Sequence, residues 1–134
     1  MFSNRNTKPQ NRIDSLVGAG TRVEGNVNFT GGLRVDGEIK GSVIADTSKA
    51  STLVLSEQAR VEGEIRVTHL VVNGTIIGPV YASEYLELQA KAKVTGDVHY
   101  KTLEIQLGAI VEGKLIHLAE AADKVVAFKL GAAE

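Results

Sequence analysis

The sequence predicts an all-β fold: a single β-solenoid of about six rungs, flanked by short flexible termini. Three observations predict it. Cut before Leu53, Leu70, Leu86 and Leu103, the stretch to Leu118 falls into four similar lines. Each opens with two apolar residues separated by one of any type: Leu53/Leu55, Leu70/Val72, Leu86/Leu88 and Leu103/Ile105. Each line then carries a glycine with an apolar residue two places later: Gly63/Ile65, Gly78/Val80, Gly96/Val98 and Gly113/Leu115. Finally, aromatic residues make up only 4% of a chain that is 43% hydrophobic. The interior must then be filled by Val, Ile, Leu and Ala, which suit a narrow stacked lumen. A repeat of 16 or 17 residues with period-two alternation is too short for a helical hairpin unit and fits one solenoid turn.

Taken in order, residues 1–16 are polar and aperiodic, with Asn4, Asn6, Pro9, Gln10 and Asn11 and an excess of base from Arg5, Lys8 and Arg12. Such a segment buries too little surface to offset its ordering entropy, which predicts a flexible tail. Phe2 is the exception, an apolar ring at the end of a basic arm. A chance residue in a disordered arm accounts for it. So does a weak membrane toe-hold of Met1, Phe2, Arg5, Lys8 and Arg12: about 1.5–3 kcal/mol from the ring and about 1 kcal/mol per basic residue at an anionic leaflet. One copy binds marginally, and a polymer of many copies binds well.

The repeat begins at Val17 and runs to Leu118, giving a solenoid domain over 17–118. Its first two rungs supply Gly25 with Val27 and Phe29, then Leu33/Val35 and Gly41 with Val43 and Ala45. Six glycines thus share one structural position: Gly25, Gly41, Gly63, Gly78, Gly96 and Gly113. The second rung is lengthened by Asp46–Thr52, whose small polar residues predict a surface loop. Residues 119–134 lose the repeat. Val125, Val126, Phe128 and Leu130 make this segment too apolar for a solvated tail, and it reads as a short cap or last irregular strand, lying across the column end or on a neighbouring subunit.

The physics behind the pattern is short. Alternate strand residues point to opposite faces, so one set lines a shared interior. Glycine supplies a sharp corner. Three faces and three bends fill 16 to 17 residues, and coils stacked about 4.8 Å apart pair each strand in parallel with its copies above and below. One coil cannot bury its inner face, but six make a continuous column. Outward residues such as Arg60, Glu62, Glu64, Arg66, Lys91, Lys93 and Asp97 form the solvated side. Left-handed hexapeptide helices keep a strict period of about 18 residues per coil. The spacing here is 16, 17 or 20, which favours a right-handed or irregular triangular coil.

Several functions find little support. A formal charge of −1 gives no footprint for nucleic acid. The chain has no cysteine, excluding disulfides and thiolate metal sites. No apolar run is long enough to span a bilayer and no signal-peptide core is visible, so the expected compartment is the cytoplasm. Gly18-Ala19-Gly20 lacks the lysine and following helix of a phosphate loop. His69, His99 and His117 fall in different columns, with no acid spaced as a common ligand. No cofactor and no metal is expected. The competing reading is a trimeric β-helix enzyme, acyltransferase- or carbonic-anhydrase-like, with sites between subunits. It needs clustered histidines at a boundary or an extended catalytic loop.

The motifs Val35-Asp36-Gly37-Glu38-Ile39-Lys40-Gly41 and Ala59-Arg60-Val61-Glu62-Gly63-Glu64-Ile65 carry a resemblance. So do Gly96-Asp97-Val98, Thr102-Leu103 to Gly108-Ala109 and Glu112-Gly113, with the Met1-Phe2-Ser3 start before basic residues. Over roughly Ser15 to Leu118 the chain resembles the bactofilins, polymer-forming bacterial cytoskeletal proteins. The Asp46–Thr52 insertion departs from their pattern. The resemblance implies a single-domain, right-handed triangular parallel β-helix that assembles end to end into non-polar filaments without nucleotide. It implies attachment to the cytoplasmic face of the inner membrane through the N-terminal segment. It also implies a scaffold for peptidoglycan-synthesis or -remodelling proteins, and an apolar aromatic near the C-terminal end that serves polymerisation, for which Phe128 is the candidate.

The ends agree with that expectation. An open solenoid exposes strand edges and its lumen, which most solenoids cap. The predicted contact residues are Val17, Val27 and Phe29 at one end, and Leu115 and His117 with Phe128 and Leu130 at the other. Burying each apolar side chain between copies contributes about 1.5–3 kcal/mol before the costs of association.

Overall fold

The computed structural model describes residues 13–46 and 48–119. The regular structure among them is all β, in three faces that wind into six coils. The first face contains β1 (Ser15–Val17), β4 (Gly32–Val35), β7 (Thr52–Leu55), the second halves of β9 (Ile65–Val72) and β11 (Val80–Leu88), and β14 (Leu103–Ile105). The second contains β2 (Arg22–Glu24), β5 (Glu38–Lys40), β8 (Arg60–Glu62), β10 (Thr75–Ile77), β12 (Lys93–Thr95) and β15 (Ile110–Glu112). The third contains β3 (Val27–Phe29), β6 (Val43–Ala45), the first halves of β9 and β11, β13 (Val98–Tyr100) and β16 (Leu115–His117).

Neighbouring strands pair in parallel, and the register is that of the sequence repeat. Leu33, Leu53, Leu70, Leu86 and Leu103 stand in one column. Val27, Val43, Ile65, Val80, Val98 and Leu115 stand in another. Inward residues of the central coils are sealed: Leu53, Val61, Ile65, Leu70, Ile76, Leu86 and Val98 are each 0% exposed. Aliphatic side chains fill the lumen of the central coils, and rings meet the core only towards its ends, at Phe29 and Tyr100.

The six glycines turn the corner between the second and third faces. Their φ values run from 130° at Gly25 to 154° at Gly41, a region that side chains rarely enter. The hydrogen-bond ladder runs through the corner unbroken: Gly41 N–H donates to the Glu62 carbonyl, and Gly63 N–H to that of Ile77, each at 2.9 Å. Conformation is only half of the requirement. From Gly41 onward, a Cβ would fall on the carbonyl oxygen of the glycine one coil earlier.

Three details depart from the sequence reading. The first strand begins at Ser15, two residues before the expected start of the solenoid, because Asp14 already joins it: Asp14 N–H donates to Gly32 O at 2.8 Å and its carboxylate accepts Gly32 N–H at 3.0 Å. The corner between the third and first faces is not always a bend. β9 and β11 run through it as single strands of 8 and 9 residues, β11 taking up one extra residue between Ala82 and Tyr85. The Asp46–Thr52 insertion is a surface loop only in part. Thr52 belongs to β7, and Ser51 is 0% exposed. Ser51 N–H donates to Thr68 Oγ1 and Thr68 Oγ1 donates to the Ser51 carbonyl, both at 2.7 Å, so this buried corner is polar but satisfied.

Candidate functional site: the two open ends

Coils end where pairing ends. At one end β1, β2 and β3 each pair with one strand only, and at the other so do β14, β15 and β16, counting the described residues. Among the described residues, each end presents one ladder edge of backbone groups and the cross-section of the lumen.

At the first end Val17, Val23, Val27 and Phe29 line the lumen and are half-buried against the core. The structure thus brings together Val17, Val27 and Phe29, as the parity of the repeat requires. Two apolar residues that parity missed join them at the rim, Leu16 at 61% and Ile13 at 40% exposure. A groove of about 890 Å³ opens beside this end, with Asp14, Phe29, Gly31, Ile44 and Lys49 in its wall.

At the other end Leu115 is 44% and Ile105 47% exposed, while Leu103, Ala109 and Val111 are half-buried against the core. His117 is exposed, its Nε2 3.0 Å from the Lys101 carbonyl and its ring 5.6 Å from that of Tyr100. Leu107, at the tip of the last turn, is 96% exposed, and Ile110 is 49% exposed. Sequence reasoning passed over Leu107. Aligning the turns would have found it, since Glu57 and Ala90 occupy the same place in earlier coils. Phe128 and Leu130, and Met1, Phe2, Arg5, Lys8 and Arg12 of the proposed membrane segment, lie outside the described residues, as does all but Ala119 of the segment read as a cap.

The histidines have structural neighbours. Each stands beside a tyrosine one coil away: His69 with Tyr85, His99 with Tyr81, and His117 with Tyr100. The His99 and Tyr81 rings stack at 4.2 Å, and the Arg66 guanidinium lies 4.0 Å from the Tyr81 centroid. Burial, together with hydrogen bonding to Glu104 and the charges of Glu87 and Glu104, pushes the Tyr85 hydroxyl pKa up, so it stays a donor to those carboxylates. Among the described residues, no three His, Asp or Glu side chains gather as a metal would need, and no helix is long and apolar enough to cross a membrane.

The described residues thus form a column of parallel coils whose two ends carry apolar side chains and strand edges. The family model described as "Bactofilin: Polymer-forming cytoskeletal" matches residues 15–116, which is the column from its first strand to its last. The chain belongs to the bactofilin family. Among curated relatives, Bactofilin BacO of Myxococcus xanthus (strain DK1622) is 25% identical over 114 residues, covering 85% of each chain. Bactofilin BacP of the same organism is 24% identical over 102 residues, 76% of this chain and 41% of BacP. The matched region thus spans less than half the length of BacP. No solved structure matches the chain. Bactofilins are structural proteins of the cytoskeleton and not enzymes, so the trimeric enzyme reading is set aside.

Proposed function

We propose that this bactofilin is a nucleotide-independent scaffold that self-assembles end to end and presents a membrane-bound rod to other proteins. The observation that carries the reading is the pair of open ends. Val17, Val27 and Phe29 at one end and Ile105, Leu115 and Leu107 at the other offer apolar side chains ringed by strand edges. Joining ends removes both liabilities at once, because edges pair and lumen residues leave water. Nothing in that contact requires a phosphate or a metal ion.

In this reading the basic segment with Met1, Phe2, Arg5, Lys8 and Arg12 holds the polymer at the cytoplasmic face of the inner membrane, and the rod localises proteins of peptidoglycan synthesis or remodelling. Electron microscopy of the purified chain in plain buffer tests the core of the proposal. Filaments are expected without nucleotide or metal. A small monodisperse species across a wide range of salt and concentration would overturn it. Deleting Met1 to Pro9 is expected to leave polymers intact and to release them from anionic vesicles.

A further inference from the structure

The second face differs from the other two. Each of its strands has its middle residue turned inward, so two side chains per coil point out and the face carries two parallel outward columns. In the first three coils the columns hold Arg22 and Glu24, Glu38 and Lys40, and Arg60 and Glu62. Sign alternates along each strand and again from coil to coil. Within the chain Arg22 lies 3.0 Å from Glu24 and Arg60 2.8 Å from Glu62, and both arginines stand 4.0 Å from Glu38. The fourth coil presents Thr75 and Ile77, and Ile77 is 38% exposed.

We propose that this face pairs with the same face of a second copy of the chain. The two-fold axis runs parallel to the column, and coils meet in register. Rotation about that axis reverses strand direction, so the first column of one copy stands over the second column of the other. Arg22 then faces the partner's Glu24, Glu38 the partner's Lys40, and Arg60 the partner's Glu62. Every charge in three coils meets its opposite, in both directions. Thr75 meets the partner's Ile77, giving the centre of the face an apolar contact. The fifth and sixth coils carry one charge each, Lys93 opposite Thr95 and Glu112 opposite Ile110, and create no like-charge pair. A two-fold axis along the strands does the reverse. With the three charged coils fully overlapped it sets Glu38 on Glu38 and Arg22 on Arg60. The charge pattern selects the first arrangement, since complementary potentials fix register and reject wrong pairings. End contacts play no part, so side-by-side pairing is read separately from filament growth.

The absence of cysteine from the chain makes a direct test possible. Thr75→Cys and Ile77→Cys copies are mixed at low salt, below the concentration at which filaments form. They are then treated with a bis-maleimide spanning about 10 Å, the separation of two packed sheets. The mixed product, which links position 75 of one copy to position 77 of the other, is expected to exceed either homodimer severalfold. It should fall to their level near 1 M salt, where screening extends only about 3 Å. A second variant exchanges the columns: R22E, E24R, E38K, K40E, R60E and E62R. It keeps net charge and every internal ion pair with signs reversed, so its unfolding curve should match that of the parent. Exchanged copies should cross-link with one another as the parent does. Parent–exchanged mixtures should cross-link at least roughly tenfold less, because each row then opposes like charges. Homodimers of Thr75→Cys in excess, an absence of cross-links, or mixed cross-linking at the parental level would each overturn the proposal.

Discussion

Gly63 lies so close to Gly41 of the preceding coil that a Cβ on Gly63 would fall on the Gly41 carbonyl oxygen, whereas the same position on Gly25 has nothing within 4 Å. Both residues hold positive φ, 153° and 130°. The pair separates two reasons for glycine that usually act together. Gly25→Ala carries conformational strain alone, about 1–3 kcal/mol. Gly63→Ala adds overlap with backbone that cannot rotate away, about 1–3 kcal/mol more. Chemical denaturation of the two variants should rank Gly63→Ala clearly lower. Equal losses would mean that conformation alone selects the glycine column.

The lumen predicts a gradient along the column. Leu70, fully buried at mid-column, should lose about 2–5 kcal/mol as Leu70→Ala. Leu115 occupies the corresponding inward parity in the last coil but is 44% exposed, and Leu115→Ala should lose under about 1 kcal/mol in dispersed protein. The same Leu115→Ala change should raise the concentration needed for polymer, read by sedimentation.

Leu107 offers the cleanest separation of assembly from folding. At 96% exposure it contributes little within one chain, so Leu107→Lys should shift stability by no more than about 0.5 kcal/mol. If the C-terminal end is an assembly contact, the variant should polymerise poorly at unchanged melting temperature. Unaltered polymers would take the last turn out of the contact.

The buried polar corner should be intolerant of one substitution and tolerant of another. Thr68→Val keeps shape but strips the partner from the Ser51 N–H, while the Ser51 carbonyl keeps the His69 N–H, and the orphaned donor costs about 1–3 kcal/mol. Thr68→Ser keeps the hydroxyl and should recover most of that loss in thermal melts. A Val variant as stable as Ser would mean that water replaces the hydroxyl.

Acid should weaken the second coil through Asp36. Hydrogen bonding from the Ser56 side chain, opposed by burial and aided by Arg34, holds its carboxyl below the usual range. A lowered folded pKa means that the stabilisation is complete above about pH 4, the unfolded value, and is lost as pH falls through the folded value. Asp36→Asn should therefore flatten the unfolding midpoint between about pH 5 and pH 2 relative to the parent. An unchanged slope would assign acid sensitivity to other carboxylates.

The column was legible because its determinants recur. Leu53, Leu70, Leu86 and Leu103 share a place in the sequence repeat and a column in space, and Gly25 through Gly113 share a corner of positive φ that recurs in every coil. What was not legible lies where coils differ. β9 runs straight from Val67 through Thr68 to Leu70, and Thr68 and Ser51 satisfy each other across 17 residues, a pairing without a local signature. At the ends, parity located Val17, Phe29 and Leu115. It missed Leu107 and Leu16, whose exposure marks them but whose parity points outward.

Each strand pairs only with the strands one coil away, so stability along this molecule is a sum of nearest-neighbour terms. Among the described residues, coils 2 to 5 have a neighbour on each side, and coils 1 and 6 lack one. The terminal coils are consequently the first to fray, and their amides should exchange with solvent fastest. In the proposed end-to-end assembly, a copy arriving at an end supplies the missing neighbour. Filament growth and the last step of folding are then the same event, the addition of one more coil to a stack.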